Sequence, residues 1–196
     1  MTDRQTQLSY SVNWRSRSVF AFSIIEDYVK LSKSFDPTNT GGVKLASGSD
    51  YNWRSVGVNY TSDARRLFFF TFNGGYGNYY NGRKLTIGGS VNYRLQPFGS
   101  IAINANYDDV SLPDPYNSAK LVLIGPKLDF TFTDKLFLTT FVQYNNQIDN
   151  INMNIRFQWR FAPASDLFII YTGNSYAGDF VNKNRGLAIK ISYWIN

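Results

Sequence analysis

Apolar and polar residues alternate without a slip over the eleven positions of Ile151–Phe161, which read Ile-Asn-Met-Asn-Ile-Arg-Phe-Gln-Trp-Arg-Phe. Successive side chains of an extended strand point to opposite faces. Ile151, Met153, Ile155, Phe157, Trp159 and Phe161 therefore share one face, and Asn152, Asn154, Arg156, Gln158 and Arg160 share the other. A tilted strand of this length crosses a bilayer. Strands half-buried on a soluble core alternate too, but rarely for so long or with two arginines opposite so wide an apolar band. The pattern predicts a transmembrane barrel strand, with lipid on one side and a watery lumen on the other.

Period-2 segments recur along the whole chain, separated by polar turn signals. They predict strands over Gln7–Trp14, Val19–Leu31, Tyr51–Thr61, Leu67–Tyr76, Lys84–Leu95, Ser100–Asp108, Lys120–Phe132, Leu136–Asn145, Ile151–Phe161, Leu167–Thr172 and Gly186–Ile195. No segment has helical spacing strong enough to compete. The connections form two alternating sets. Arg15–Ser18, Ser62–Arg66, Gln96–Gly99, Thr133–Lys135 and Ala162–Asp166 are short. Ser32–Asp50, Gly77–Arg83, Asp109–Ala119, Asn146–Asn150 and Gly173–Arg185 are mostly longer and rich in Asn, Gly, Pro and Asp. Short turns at one rim and long loops at the other are the asymmetry of outer-membrane barrels.

Aromatic residues follow the same logic. On the apolar parity, Tyr60, Tyr93, Phe132, Phe161 and Tyr193 lie beside the short-turn rim, and Tyr28, Tyr76, Tyr107, Tyr144 and Tyr171 lie toward the other. Such girdles mark where lipid meets water, although Tyr is also simply common in strands.

The expected fold class is thus all-β, an antiparallel up-and-down transmembrane β-barrel of about 10–12 strands, on its own or as part of a larger barrel. Eleven strands would be odd, whereas bacterial single-chain barrels are even-numbered. The opening Met1-Thr-Asp-Arg-Gln-Thr-Gln lacks the basic-then-apolar design of an export leader. Both points lead to the expectation that residues 1–196 are the C-terminal barrel part of a longer protein.

Composition narrows the chemistry. There is no run of about eighteen apolar residues, so helical membrane spans are not expected. The chain has no cysteine and no histidine, which removes Ser-His-Asp triads, Cys-His pairs and His-ligated metals from what it can build alone. No enzyme activity and no cofactor are expected. The net charge of +6 is spread out, without a Lys/Arg cluster that would mark a nucleic-acid partner.

On the parity opposite the apolar face stand Lys84, Thr86, Ser90, Asn92, Arg94, Asn104, Asn106, Asp108, Lys127, Asp129, Asn152, Asn154, Arg156, Gln158, Arg160 and Lys190. They read either as the lining of a hydrated channel with a positive bias or as the paired filling of a small, plugged barrel. Arg15, Arg17, Arg65, Arg66, Arg94, Lys135 and Arg160 gather near the short-turn rim. They suit lipid headgroups or pairing with turn aspartates such as Asp63, Asp134 and Asp166. Asp108-Asp109-Val-Ser-Leu-Pro-Asp-Pro offers oxygen ligands for a hard cation without EF-hand spacing, and its prolines mark a stiff loop. Gly74-Gly75-Tyr76-Gly77 is expected to be a turn at the rim rather than a phosphate loop. The last strand, with Leu187, Ile189, Ile191 and Tyr193 outward and Trp194 opposed, is the expected assembly signal.

Four stretches carry a family resemblance: Phe132-Thr-Asp-Lys-Leu-Phe-Leu, Gln143-Tyr-Asn-Asn, Asn154–Tyr171 and Arg185–Trp194. Within them, Arg156, Trp159, Pro163, Ser165 and Asp166 precede an apolar strand. Residues 120–196 resemble the C-terminal region of a Bacteroidetes outer-membrane family of unknown function. Its members join an N-terminal domain similar to family 9 carbohydrate-binding modules to a large C-terminal barrel. Two departures stand out. Ala164 occupies a position where that family usually has Gly, and the chain ends on Asn196 rather than on an aromatic.

The resemblance implies a barrel in the outer membrane of a Gram-negative cell. Its partners would be outer-membrane lipid and the barrel-assembly machinery, with small solutes or glycans met by an N-terminal domain outside these residues. The expected role is a passive pore or the membrane anchor of a larger envelope protein. A soluble lipocalin-like barrel, with its apolar face turned inward around a ligand, is the alternative.

Overall fold

The computed structural model describes residues 3–195, and in them the chain is all β. Eleven strands run in order: β1 Asp3–Asn13, β2 Val19–Lys30, β3 Asp50–Thr61, β4 Phe68–Tyr79, β5 Gly82–Leu95, β6 Gly99–Ser111, β7 Ala119–Thr131, β8 Leu136–Asn145, β9 Asn150–Ala162, β10 Ser165–Ser175 and β11 Asn182–Ser192. Each pairs with its neighbour in sequence, giving one antiparallel up-and-down sheet. No ladder joins β11 to β1 among the described residues.

Every predicted strand is present, but several reach further than their side-chain pattern announced. The ladder continues through Gly77, Asn78 and Tyr79 in β4, Val110 and Ser111 in β6, and Gly173–Ser175 in β10. Pairing there rests on backbone N–H and C=O groups, which Gly and Asn supply as well as Val does. Gly74-Gly75-Tyr76-Gly77 is accordingly not a turn. It lies inside β4, with Gly77 opposite Ser55 and Gly74 opposite Val58. A Cβ on Gly77 would sit 2.4 Å from the Ser55 Cα, so this close approach requires glycine.

Extending the strands shrinks the loops. The connection expected over Gly77–Arg83 becomes the two residues Tyr80 and Asn81, and that over Gly173–Arg185 becomes residues 176–181. The contrast between rims is carried chiefly by residues 31–49. At the other end of the chain β11 stops at Ser192, and Tyr193 and Trp194 lie beyond it.

The chain forms two compact units. The first comprises Met1–Arg65, Phe69–Gly89 and Asn106–Val122. Its buried apolar residues, Leu31, Leu45, Trp53, Val110, Leu112 and Ala119, gather around segment 31–49 and the strand ends near it. That segment is folded rather than loose. Phe35 and Leu45 form a bridge, and the Asp36 carboxylate accepts the Thr38, Thr40 and Gly41 amides and the Thr38 hydroxyl. Burial opposes ionisation of Asp36, but the Thr38 bonds and the two further amides outweigh it and hold this carboxyl below its ordinary value.

The second unit comprises Arg66–Phe68, Ser90–Ala105 and Leu123–Asn196. Its ladders put Ile155 opposite Thr140 and Tyr171, and Phe157 opposite Leu138 and Ile169. No large apolar side chain of this unit is fully buried among the described residues.

Candidate functional site: the polar face

In the second unit, register and contacts define one polar face. Lys127 Nζ lies 2.7 Å from Asp129 Oδ2, and the Thr139 hydroxyl donates to Asp129 at 3.0 Å. Arg156 pairs across from Thr139 and donates to its hydroxyl at 3.5 Å. Arg160 Nε stands 3.4 Å from Asp166 Oδ1, to which Gln158 also donates at 2.9 Å. The Arg160 guanidinium lies 5.6 Å from the centre of the Phe137 ring. Asn154 faces Phe141 and Thr172, Asn152 faces Gln143 and Asn174, and Lys190 faces Phe168. Arg94 donates its backbone N–H to the Leu67 carbonyl, and Asn104 is exposed in β6.

The sequence pattern places Asp166 in a turn. In the fold it is the second residue of β10 and faces Arg160, so it belongs to the polar face. Its even position, two before Phe168 and four before Ile170, gave the sequence reading no polar parity to follow.

The first unit has a polar face of another kind. Asp108 is its centre: Lys84 Nζ lies 3.2 Å from Oδ1, the Thr86 hydroxyl donates to the same oxygen, and Asn106 donates to Oδ2 at 2.9 Å. Asp27 accepts from Gln5 at 2.8 Å. Nearby, a cavity of about 450 Å³ is lined by Gln7, Ser23, Asp27, Ser55, Asn59, Asn73, Gly75 and Thr86, with Trp53, Tyr76 and Tyr79 as its aromatic residues. Trp53 packs on Tyr80 with ring centres 4.7 Å apart, and Tyr79 meets Tyr80 edge-on at 4.8 Å. Burial, reinforced by Tyr79, Asp3, Asp27 and Tyr51, pushes the Tyr80 phenol up to about 12. Sequence reasoning does not reach this cluster, because Tyr79 and Tyr80 lie in a stretch whose composition predicts a loop.

The opposite faces are apolar. In the second unit Leu167, Ile169 and Tyr171 pair with Ile191, Ile189 and Leu187. Ring contacts recur beside the short turns. Trp14 and Tyr60, and Tyr60 and Phe70, meet in the first unit; Phe130 and Phe132, Trp159 and Phe161, and Phe161 and Tyr193 meet in the second. Charge enters the first unit's apolar parity toward segment 31–49, where Glu26 pairs with Arg4 at 3.7 Å and Arg54 at 3.0 Å.

Of the short-turn arginines, Arg65 forms a 2.8 Å ion pair with Asp63. Asp108 and Asp109 belong to β6 rather than to a loop, and no group of three metal-ligating side chains occurs among the described residues. Beyond β11, the Trp194 N–H donates to the buried Ser165 hydroxyl at 3.1 Å. The chain matches no protein-family model, no curated protein and no solved structure.

Proposed function

We propose that this chain is wall of an outer-membrane β-barrel, serving a Gram-negative envelope as a passive pore or as the anchor of a larger protein, without enzyme activity. The observation that carries this reading is the two-faced sheet. Its apolar face is exposed, with Ile189 64% accessible and Leu187, Ile191 and Ile169 alongside, while the charged and amide groups are paired with one another on the opposite side. A soluble protein rarely leaves so continuous an apolar surface in water. A lipocalin-like barrel would turn that face inward, against the polar contacts seen here.

Closure is part of the proposal. In lipid an open strand edge leaves N–H and C=O groups without partners, each costing several kcal/mol. Both β1 and β11 have such an edge, and Leu8 on β1 is 73% exposed. An odd count of eleven strands is better completed by further strands than by joining β1 to β11. The ring contacts beside the short turns and the Arg4–Glu26–Arg54 cluster fit the two lipid–water boundaries.

The second unit's polar face carries Arg94, Lys127, Arg156, Arg160 and Lys190 against Asp129 and Asp166, so a lumen along it holds positive potential. The reversal potential of purified protein in a planar bilayer under a salt gradient tests this. Anion preference that fades as salt rises supports the lumen assignment, because the screening length falls from about 10 Å at 0.1 M to about 3 Å at 1 M. Cation preference refutes it, and absence of conductance leaves the anchor role.

A further inference from the structure

The cavity in the first unit is not explained by a generic water-filled lumen. We infer that it is a binding site for a neutral, polyhydroxylated solute, a sugar of one or two rings. Its volume of about 450 Å³ suits a ligand of that size. Three features of the wall decide the chemistry.

The first is donor and acceptor supply with the one lysine of the wall already paired. Gln7, Asn59 and Asn73 bring amides, which both donate and accept, and Ser23, Ser55 and Thr86 bring hydroxyls. Of the two charges at the wall, Lys84 is paired with Asp108, and Asp27 accepts a hydrogen bond from Gln5. An anionic ligand would have to pull Lys84 from its carboxylate. A hydrocarbon ligand would cover these amides without giving them partners, at a cost that a hydroxyl-rich ligand avoids.

The second is an aromatic end. Trp53 and Tyr79 line the same cavity and are held by Tyr80, so their rings are fixed before any ligand arrives. A sugar ring offers C–H groups to such a surface and hydroxyls to the amides beside it.

The third is room at Gly75. Gly57 and Gly75 stand on the cavity side of β3 and β4, but a Cβ at Gly57 would meet the Ser23 hydroxyl oxygen at 2.7 Å. A Cβ at Gly75 has nothing nearer than 3.7 Å. That position therefore tolerates a side chain, which would project into the cavity.

The site belongs to the polar face whether or not the sheet lies in a membrane, so it stands apart from the pore-or-anchor reading. The test uses the full chain in an amine-oxide detergent, since a maltoside headgroup would itself compete. Glucose, maltose and cellobiose are the neutral probes, with glucose 6-phosphate and 1-octanol as charged and apolar controls. Saturation-transfer NMR, irradiating aromatic protons, reads out contact with sugar ring protons, and equilibrium dialysis gives affinity. At least one neutral sugar should bind saturably, and Gly75→Leu and Asn73→Ala should each weaken it tenfold or more. Should Gly75→Leu fail to fold by circular dichroism, Asn73→Ala decides alone. The inference is overturned if no neutral sugar binds, if the folded variants bind as well as the parent, or if a control binds more tightly.

Discussion

The two units are built from the same alternating strands and filled in different ways. In the second, charges meet charges: Lys127 with Asp129, and Arg160 with Asp166. In the first, most of the polar face is amide, hydroxyl or glycine, and the fully buried apolar residues collect around segment 31–49. Alternation sets which residues share a face, but not what that face does. An ion-paired surface favours charge passing along water, while a concave wall of amides and hydroxyls with fixed rings favours a resting place for a solute.

The largest effects should come from breaking the apolar faces. Arginine at Ile155 or Phe157 should destabilise the folded, lipid-embedded protein by about 2–4 kcal/mol, whereas Asn154→Arg should cost far less. Urea titration from vesicles measures the difference, and equal costs would mean that the faces are reversed. Deleting Ser192–Asn196, of which Asn196 lies outside the described residues, removes the Tyr193 stacking on Phe161 and the Trp194 bond to Ser165. Membrane insertion of the truncated chain should fail while synthesis continues, as a protease-protection assay would read.

A second perturbation should touch the first unit only. Leu45 is 0% exposed, so Leu45→Ala should cost about 2–5 kcal/mol locally. Hydrogen exchange should then rise through residues 31–49 and leave β8–β11 unchanged. Uniform loosening would contradict separate compact units.

Acid should act on the same segment. Because Asp36 is held below its ordinary value, its contribution is complete above the unfolded aspartate pKa of about 3.9 and is lost as pH falls through the lower folded value. Exchange in segment 31–49 should therefore be flat from pH 7 to about 5 and accelerate only in stronger acid. Asp36→Asn should remove that acid step.

The smallest effect concerns Ala164, which adopts φ 52° in the turn between β9 and β10. Left-handed backbone costs a non-glycine residue roughly 1–2 kcal/mol, so Ala164→Gly should stabilise the protein by about 1 kcal/mol or less.

What the sequence made legible follows from period. The alternation of Ile151–Phe161 predicted β9 to within one residue at each end, and parity put Lys127, Asp129, Arg156 and Gln158 on one side. Strand ends were hidden wherever pairing outlasted the apolar pattern, as at Gly77–Tyr79. Loop lengths, and with them the expected rim contrast, were overestimated for the same reason. The cavity was illegible because Gln7, Ser23, Asn73 and Thr86 lie on four strands and meet only through register. So was the small core, since Leu31, Leu45, Val110 and Leu112 sit at strand ends and in loops, where no period operates.

The central claim is that the apolar faces meet lipid and the polar faces meet water. Two single-tryptophan variants test it directly, one keeping Trp159 on the apolar face and one keeping Trp53 beside the cavity. Each is reconstituted in vesicles whose acyl chains carry bromine. Trp159 fluorescence should be strongly quenched and Trp53 fluorescence should not. Equal quenching, Trp53 quenched alone, or a detergent-free monomer that ignores the vesicles would contradict the account.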